Sequence, residues 1–390
     1  MHVIPVNKIV MLLSNAFHPD PRVLMESQAL VKSGYDITIL CWDRRVELPP
    51  QEILPSGVNV FRIQNIRSSY GAGIYQLLKL PQFWRMVIHQ SIMLHPDVVH
   101  CHDLDTLYAG VQIKKRLGCP LIYDAHEDYP ALMSLYLPRI LLSFLRSFEK
   151  WLLNSVDYII TASSELAIKY RSHGAASVTT IGNYQALELY HSLHSENILQ
   201  ARAELGYTSQ DYIVAYIGGF TRNRQLLPLI DAIKGLPDVK LLLCGDGHQR
   251  GAIESAITNI PNIQYIGWLH AEKVPLYTSM ADVIYYCLLP NYPGASYNAP
   301  NTLSSAMAAG RPIIANKVGD LGRIISETNC GLLIDDVNPI NIREVIDKLR
   351  DPVLRNQLGS NGKKASIEKY NSATVEYLLN KLYSTINTIK

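Results

Sequence analysis

Short apolar runs alternate with amphipathic stretches from one end of the chain to the other, and this rhythm restricts the fold more than any other feature. In the first half the runs are 8–14 (KIVMLLS), 36–42 (DITILCW), 97–102 (DVVHCH), 120–126 (PLIYDAH) and 157–163 (DYIITAS). They are near-continuous rather than in–out alternating, which indicates strands covered on both faces, hence parallel strands joined by helical crossovers. Helical patterns lie between them, around PRVLMESQALVKSG, over 104–117, and over a long stretch at 132–154.

The pattern restarts after a polar stretch at 186–211, with runs at 212–219, 239–247, 263–268, 281–286, 311–316 and 331–335. A chain of 390 residues exceeds what one core usually serves. The expected architecture is therefore α/β, with two Rossmann-like domains facing each other across a cleft. Residues 1–186 form the first and 207–371 the second, and a final helix at 372–390 returns to the first. Ligands of such sheets bind beyond the carboxyl ends of the strands, so the residues just after each apolar run are the candidates.

After the first run, SNAFHPDPRV places Asn15, His18, Asp20 and Arg22 in a loop stiffened by Pro19 and Pro21. Pro21 suits the first turn of the next helix. Arg22 either contacts an anionic ligand or pairs with Asp20. No Gly-x-Gly-x-x-Gly follows the strand, which removes most support for a dinucleotide enzyme. His102 and Asp103 are candidates for a pocket edge, whereas His100 reads as buried and satisfied. His126, trailed by Glu127 and Asp128, can hydrogen-bond a sugar hydroxyl or exchange protons near pH 7, or serve structure alone. In the second half, Gly218 and Gly219 end a run, Arg222 and Arg224 follow, and a helix begins near Leu226. Paired guanidiniums beside a helix start suit a diphosphate; exposed arginines on an ordinary turn are the other reading. Gly245 and the segment around Trp268 let a flat ligand approach the backbone.

A formal net charge of +2 gives no electrostatic case for nucleic acid. The six cysteines are scattered, with no C-x-x-C and no zinc spacing, and read as reduced buried thiols of a cytoplasmic protein. No signal-peptide layout opens the sequence, and no apolar segment reaches the roughly 18 residues of a membrane span. Residues 132–154 are interrupted by Arg139, Arg146, Glu149 and Lys150. They can lie on a membrane as a peripheral amphipathic helix or pack in the core with one wet face.

Together, SGYDITILCWD, PDVVHCHD, PLIYDAHE, VDYIITAS, YIGGFTRNRQLLPLIDAI, KLLLCGDG, IQYIGWLHAEKVPLYTSMADV and SAMAAGRPIIANKVG resemble family 4 of the retaining glycosyltransferases, which have the GT-B fold. The resemblance implies a UDP- or GDP-sugar donor held by the second domain as substrate. It also implies a glycan or lipid-linked acceptor held mainly by the first, and transfer with retention, without cofactor or metal. Arg224 falls where the family places a basic residue on the diphosphate; the preceding family arginine maps to Gly219, with Arg222 as its substitute. His126 falls where a histidine contacts the transferred sugar, and Trp268 with Leu269 where the backbone reads the base.

The stretch YNAPNTLSSAMAAG aligns with a pair of family glutamates, and neither is present. The one facing the donor sugar maps to Tyr297, the one holding the ribose to Ser305. Losing a carboxylate on the ribose weakens binding by something like tenfold to a hundredfold. Tyr297 and Asn298 are then expected to orient the sugar. Asn301, Thr302, Leu303 and Ser305 are expected to line the nucleotide pocket. A catalytically silent subunit that binds a glycan or a partner enzyme, and a nucleotide-sugar epimerase, are the alternatives.

Overall fold

A computed structural model describes residues 7–18, 20–68 and 78–389, so Pro19 of the first loop lies outside the described residues. The chain forms two units, residues 1–182 with 373–390, and residues 183–372.

The first unit is built on an eight-stranded sheet. In chain order its strands are β1 (Lys8–Leu13), β2 (Asp36–Trp42), β3 (Gln51–Ile53), β4 (Asn59–Ile63), β5 (Val98–His102), β6 (Leu121–Ala125), β7 (Tyr158–Thr161) and β8 (Val178–Thr180). Their spatial order is β3-β4-β2-β1-β5-β6-β7-β8, all parallel except the β3–β4 pair. Direction of build-out reverses between β1 and β5, which makes their carboxyl ends the ligand crevice of this sheet. Residues of β1, β2, β5 and β6 are almost all buried, as strands sandwiched by helices require. The helix Pro21–Lys32 begins at Pro21, and Asp20 caps it by accepting from the backbone N–H groups of Arg22 and Val23. The C-terminal helix Ser372–Ile389 returns to this unit, where the Tyr383 hydroxyl meets Nδ1 of His100 at 3.0 Å.

Three strands escape the sequence reading. β3 and β8 are three residues long and partly exposed, and β4 is interrupted by polar residues, as in Asn59-Val-Phe-Arg62-Ile, so hydrophobic rhythm does not mark them. The long helix expected over 132–154 is also divided. Helix Tyr129–Met133 ends before Pro138, and Arg139–Leu153 starts after it, because proline cannot continue a helix.

The second unit carries a six-stranded parallel sheet of β9 (Tyr212–Ile217), β10 (Val239–Cys244), β11 (Ile263–Tyr265), β12 (Val283–Tyr286), β13 (Ile313–Asn316) and β14 (Gly331–Ile334). Its order, β11-β10-β9-β12-β13-β14, is the doubly wound 3-2-1-4-5-6 arrangement, with its reversal between β9 and β12. The polar stretch at 186–211 belongs to this unit and holds helices Glu188–His191 and Ser195–Glu204. Arg202 ties the second of these to the carbonyl of Met280 and to Asp282. All six cysteines are buried. No helix among the described residues is long and apolar enough to cross a membrane.

Candidate active site

The crevice end of the first sheet holds a buried charge network centred on Asp124, the fourth residue of β6. Arg22, in the first turn of the helix after β1, donates to both its oxygens, from Nη2 at 2.7 Å and from Nε at 3.0 Å. The same guanidinium lies 3.1 Å from Glu26, one turn on, and donates to the Ile181 carbonyl at 2.7 Å. The sequence leaves Arg22 to a ligand or to Asp20; the structure pairs its guanidinium with Asp124, because β6 lies two strands from β1 and brings that carboxylate beside it. Nε2 of His126 sits 3.1 Å from Asp124 and 3.1 Å from Nδ1 of His102. Asp103 braces His126 from the other side, accepting its backbone N–H at 3.1 Å and standing 3.4 Å from Nδ1. Asp103 does so in a conformation (φ 61°, ψ 165°) that non-glycine residues seldom occupy. His102 is buried beneath His126 rather than at a pocket edge; Asp103 and His126 keep partial exposure.

This setting corrects one expectation. Burial opposes charge on His126, but the carboxylates of Asp103 and Asp124 outweigh it and push the ring up to about 10. His126 is thus a fixed imidazolium near pH 7, not a proton exchanger. Burial likewise opposes charge on Asp124, yet Arg22 and His126 hold its carboxyl well below the usual range. Burial raises Asp103 to about 7, with His126 only partly offsetting it, and burial together with Asp124 raises Glu26 to about 8. Glu26, His100, His102 and Asp124 have donor atoms within 4.8 Å of one another, close enough to ligate a metal. The Arg22 guanidinium already supplies the positive charge there.

A pH dependence follows. Asp103, Glu26 and His126 each hold a proton more tightly folded than unfolded. The stability this adds is complete below their unfolded pKa values and is lost as pH rises through about 7, 8 and 10. The melting temperature is expected to fall by at least about 3 °C between pH 7 and 9. Glu26→Gln, which stays neutral, should flatten that slope near pH 8. A melting temperature level across this range in differential scanning fluorimetry would show that the network does not titrate there.

In the second unit the loops after β9, β10 and β11 are tied edge to edge. Gly218 N–H donates to the Cys244 carbonyl (2.9 Å), Phe220 N–H to Asp246 (2.8 Å) and Gly245 N–H to Gly267 (2.8 Å). Behind β9, Thr302 at the start of helix Asn301–Ala309 donates its hydroxyl to the Ile217 carbonyl at 3.1 Å. Arg224 lays its guanidinium over the Tyr286 ring, 4.6 Å from the centroid, and Tyr286 in turn stacks on Tyr216. Among the described residues, Nε and Nη1 of Arg224 are buried with no hydrogen-bond partner. The Gln249 side chain fixes the Arg224 carbonyl at 2.8 Å, and the Tyr286 hydroxyl reaches Asn298 at 3.4 Å. Tyr216, Tyr286 and Gln249 were missed in the sequence; two tyrosines at strand ends facing an arginine were the available signal.

The reversal between β9 and β12 therefore gathers Gly218, Gly219, Arg224, Asn298 and Thr302, with Gly245 directly behind. Other expected residues are placed differently. Arg222 is exposed, and Trp268 is 63% exposed beside the half-buried Leu269. Tyr297 is half-buried in a 3-10 turn, Ala295–Tyr297. Leu303 and Ser305 lie on the inner face of their helix, and Ser305 is 4% exposed beside the Tyr190 hydroxyl. Asn301 and Thr302 remain at the open end.

Two parallel-sheet units, each with its chemistry at the topological switch point, define a GT-B glycosyltransferase. Residues 22–184 match the model of Glycosyltransferase Family 4, and residues 211–351 that of Glycosyl transferases group 1. The chain belongs to glycosyltransferase family 4. It is 22% identical over 369 residues, 88% of either chain, to an uncharacterized glycosyltransferase of Methanocaldococcus jannaschii. To the phosphatidyl-myo-inositol mannosyltransferase of Mycobacterium leprae it is 22% identical over 298 residues, 75% of this chain and 74% of that one. Sucrose-phosphate synthase from Thermosynechococcus elongatus shares the fold with a TM-score of 0.84 at 20% identity, over 98% of this chain and 100% of that one. Anabaena HepE, solved with UDP-glucose, does so at 0.75 and 16%, over 97% and 99%.

Proposed function

We propose that this glycosyltransferase takes its sugar from a UDP- or GDP-sugar held by the second unit and passes it, with retention, to a glycan or lipid-linked acceptor held by the first. The observation that carries the donor reading is Arg224, a guanidinium stacked on Tyr286 with two buried nitrogens lacking partners at the β9–β12 reversal. Such a group meets its hydrogen-bonding requirement when a diphosphate arrives. The amino end of helix Asn301–Ala309 adds backbone donors and a positive field beside it. As the bond from the sugar to the diphosphate breaks, negative charge grows on the departing phosphate, and Arg224 lowers the barrier by stabilising it. The acceptor oxygen takes the same face of the anomeric carbon, and its proton leaves with the nucleoside diphosphate. Tyr297 and Asn298 orient the sugar, the backbone at Trp268 and Leu269 reads the base, and His126 contributes a fixed cationic group. HepE is described in complex with UDP and with UDP-glucose, which supports a uridine donor.

A thermal-shift series with UDP, GDP, ADP and their sugars tests this, because binding to the folded state raises the melting temperature by mass action. One base is expected to shift it, and Arg224→Ala to weaken that binding by about tenfold to a hundredfold. No shift with any nucleotide would favour a silent, glycan- or partner-binding subunit.

A further inference from the structure

Three neighbouring helices of the first unit, Leu80–Leu94, Leu104–Leu117 and Arg139–Leu153, form a face apart from the network around Asp124. An unbroken aromatic band crosses it. Trp84 packs on Tyr108 (4.6 Å), Tyr108 on Phe148 (6.1 Å), and Phe148 on both Phe144 and Trp151 (6.4 and 5.8 Å). Helix Arg139–Leu153 turns Ile140 (84% exposed), Phe144 (71%), Trp151 (49%) and Leu141 (43%) outward, and Tyr136 just before it is 60% exposed. Alongside runs an open groove of about 640 Å³ lined by Trp84, Ile88, Ile92 and Tyr108, with Arg85 and Arg116 on its walls. Singly exposed apolar residues are ordinary, but a contiguous aromatic patch with an apolar groove beside it marks a docking surface.

Charge identifies what docks. These helices carry Arg85, Lys114, Lys115, Arg116, Arg139, Arg146 and Lys150, and their acidic residues, Asp105 and Glu149, are both buried. Among the described residues, only Lys114 of these bases is neutralised by a nearby carboxylate, that of Asp157 at 2.6 Å. Lys115 lies over the Trp151 ring, so positive charge and aromatic surface share one plane. The chain as a whole is nearly neutral, at +2, so this is a local concentration. No helix among the described residues can cross a bilayer, yet Arg139–Leu153 has the layout of one that lies on it, apolar residues outward and basic residues flanking them.

We propose that this face docks the enzyme on an anionic lipid bilayer. Ile140, Phe144 and Trp151 enter the headgroup region, and Arg85, Arg116, Arg139, Arg146 and Lys150 meet lipid phosphates. The groove between the first two helices lies where an acyl chain from that surface can enter. The proposal does not depend on the donor reading, since it concerns the first unit alone.

The test is flotation of the full chain with phosphatidylcholine vesicles, with and without phosphatidylglycerol, at low and high salt. Three proteins are compared: wild type, Ile140→Ser with Phe144→Ser, and Arg146→Glu. Ile140, Phe144 and Arg146 are all at the surface, so folding is expected to survive, as circular dichroism will record. The wild type is expected to float with anionic vesicles and far less with neutral ones or at high salt. The double variant should lose about tenfold or more in partitioning. Arg146→Glu should lose about fivefold or more, and only with anionic vesicles. A wild type that stays in the soluble fraction at low salt overturns the proposal. So does a dimer, seen by light scattering, that Ile140→Ser with Phe144→Ser abolishes, since the face would then be an interface between copies.

Discussion

Replacing Asp124 by alanine is expected to destabilise the first unit by about 3–5 kcal/mol, the usual cost of removing one partner from a buried ion pair. The side chain is fully buried and accepts two hydrogen bonds from Arg22 while lying 3.1 Å from His126 and 3.3 Å from His102. Without it, the Arg22 guanidinium loses its strongest acceptor and leans on Glu26 and the Ile181 carbonyl, and Glu26 is itself held largely protonated. His126, deprived of one of two carboxylates, loses much of what sustains its charge, and burial then drives the ring toward neutrality. Asp124→Asn should fall between wild type and alanine, because it keeps the volume and one acceptor but not the charge. Urea unfolding followed by fluorescence measures both. A loss below about 1 kcal/mol for alanine would mean that water replaces the carboxylate without penalty, and the network would not be what fixes His126.

How much of this was legible in the sequence divides along a physical line. Buried parallel strands announce themselves, because both faces must be apolar. Asp36–Trp42 was read to the residue, and the carboxyl ends of β5, β6, β9 and β10 fell close to where the runs predicted. Edge strands such as Gln51–Ile53 and Val178–Thr180 do not, since one neighbour and partial exposure leave no apolar signature. The GT-B fold and the family followed from the order of the runs and the motifs between them. Pairing across the chain was not legible. Arg22 and Asp124 are 102 residues apart, and only the strand order β1-β5-β6 makes them neighbours. His126 was found by its place after β6, but its charge state depends on Asp103 and Asp124 together, which a one-dimensional reading cannot weigh. In the second unit, helix Asn301–Ala309 was expected to present Leu303 and Ser305 to a nucleotide. The helix turns them inward, since small and apolar residues at 303–308 make that face its core side.

The end of β10 supplies the other large effect expected. A Cβ at Gly245 would fall well inside van der Waals contact of the Gly218 carbonyl oxygen and 2.8 Å from the Phe220 ring. Neither obstacle is free to yield. Gly218 is held by its N–H to the Cys244 carbonyl, and the registered pair Cys244–Ile217 locks β9 to β10 immediately before it. Phe220 is fully buried and packs on Tyr216 and Tyr265. Gly245→Ala must therefore push the β9 loop outward, at a cost at or above the upper end of the roughly 1–3 kcal/mol typical of overpacking. The loop that moves carries Gly218, where a Cβ would stand 3.7 Å from the Thr302 hydroxyl, and leads to Arg224. Nucleotide affinity should fall with stability. Gly219→Ala is the control: its Cβ would meet only a Thr221 methyl at 3.6 Å, ordinary contact, so the variant should melt within about 1 kcal/mol of wild type. If Gly245→Ala melts and binds like Gly219→Ala, the strand ends yield freely, and a site that yields freely cannot hold the two open nitrogens of Arg224 in place for a diphosphate.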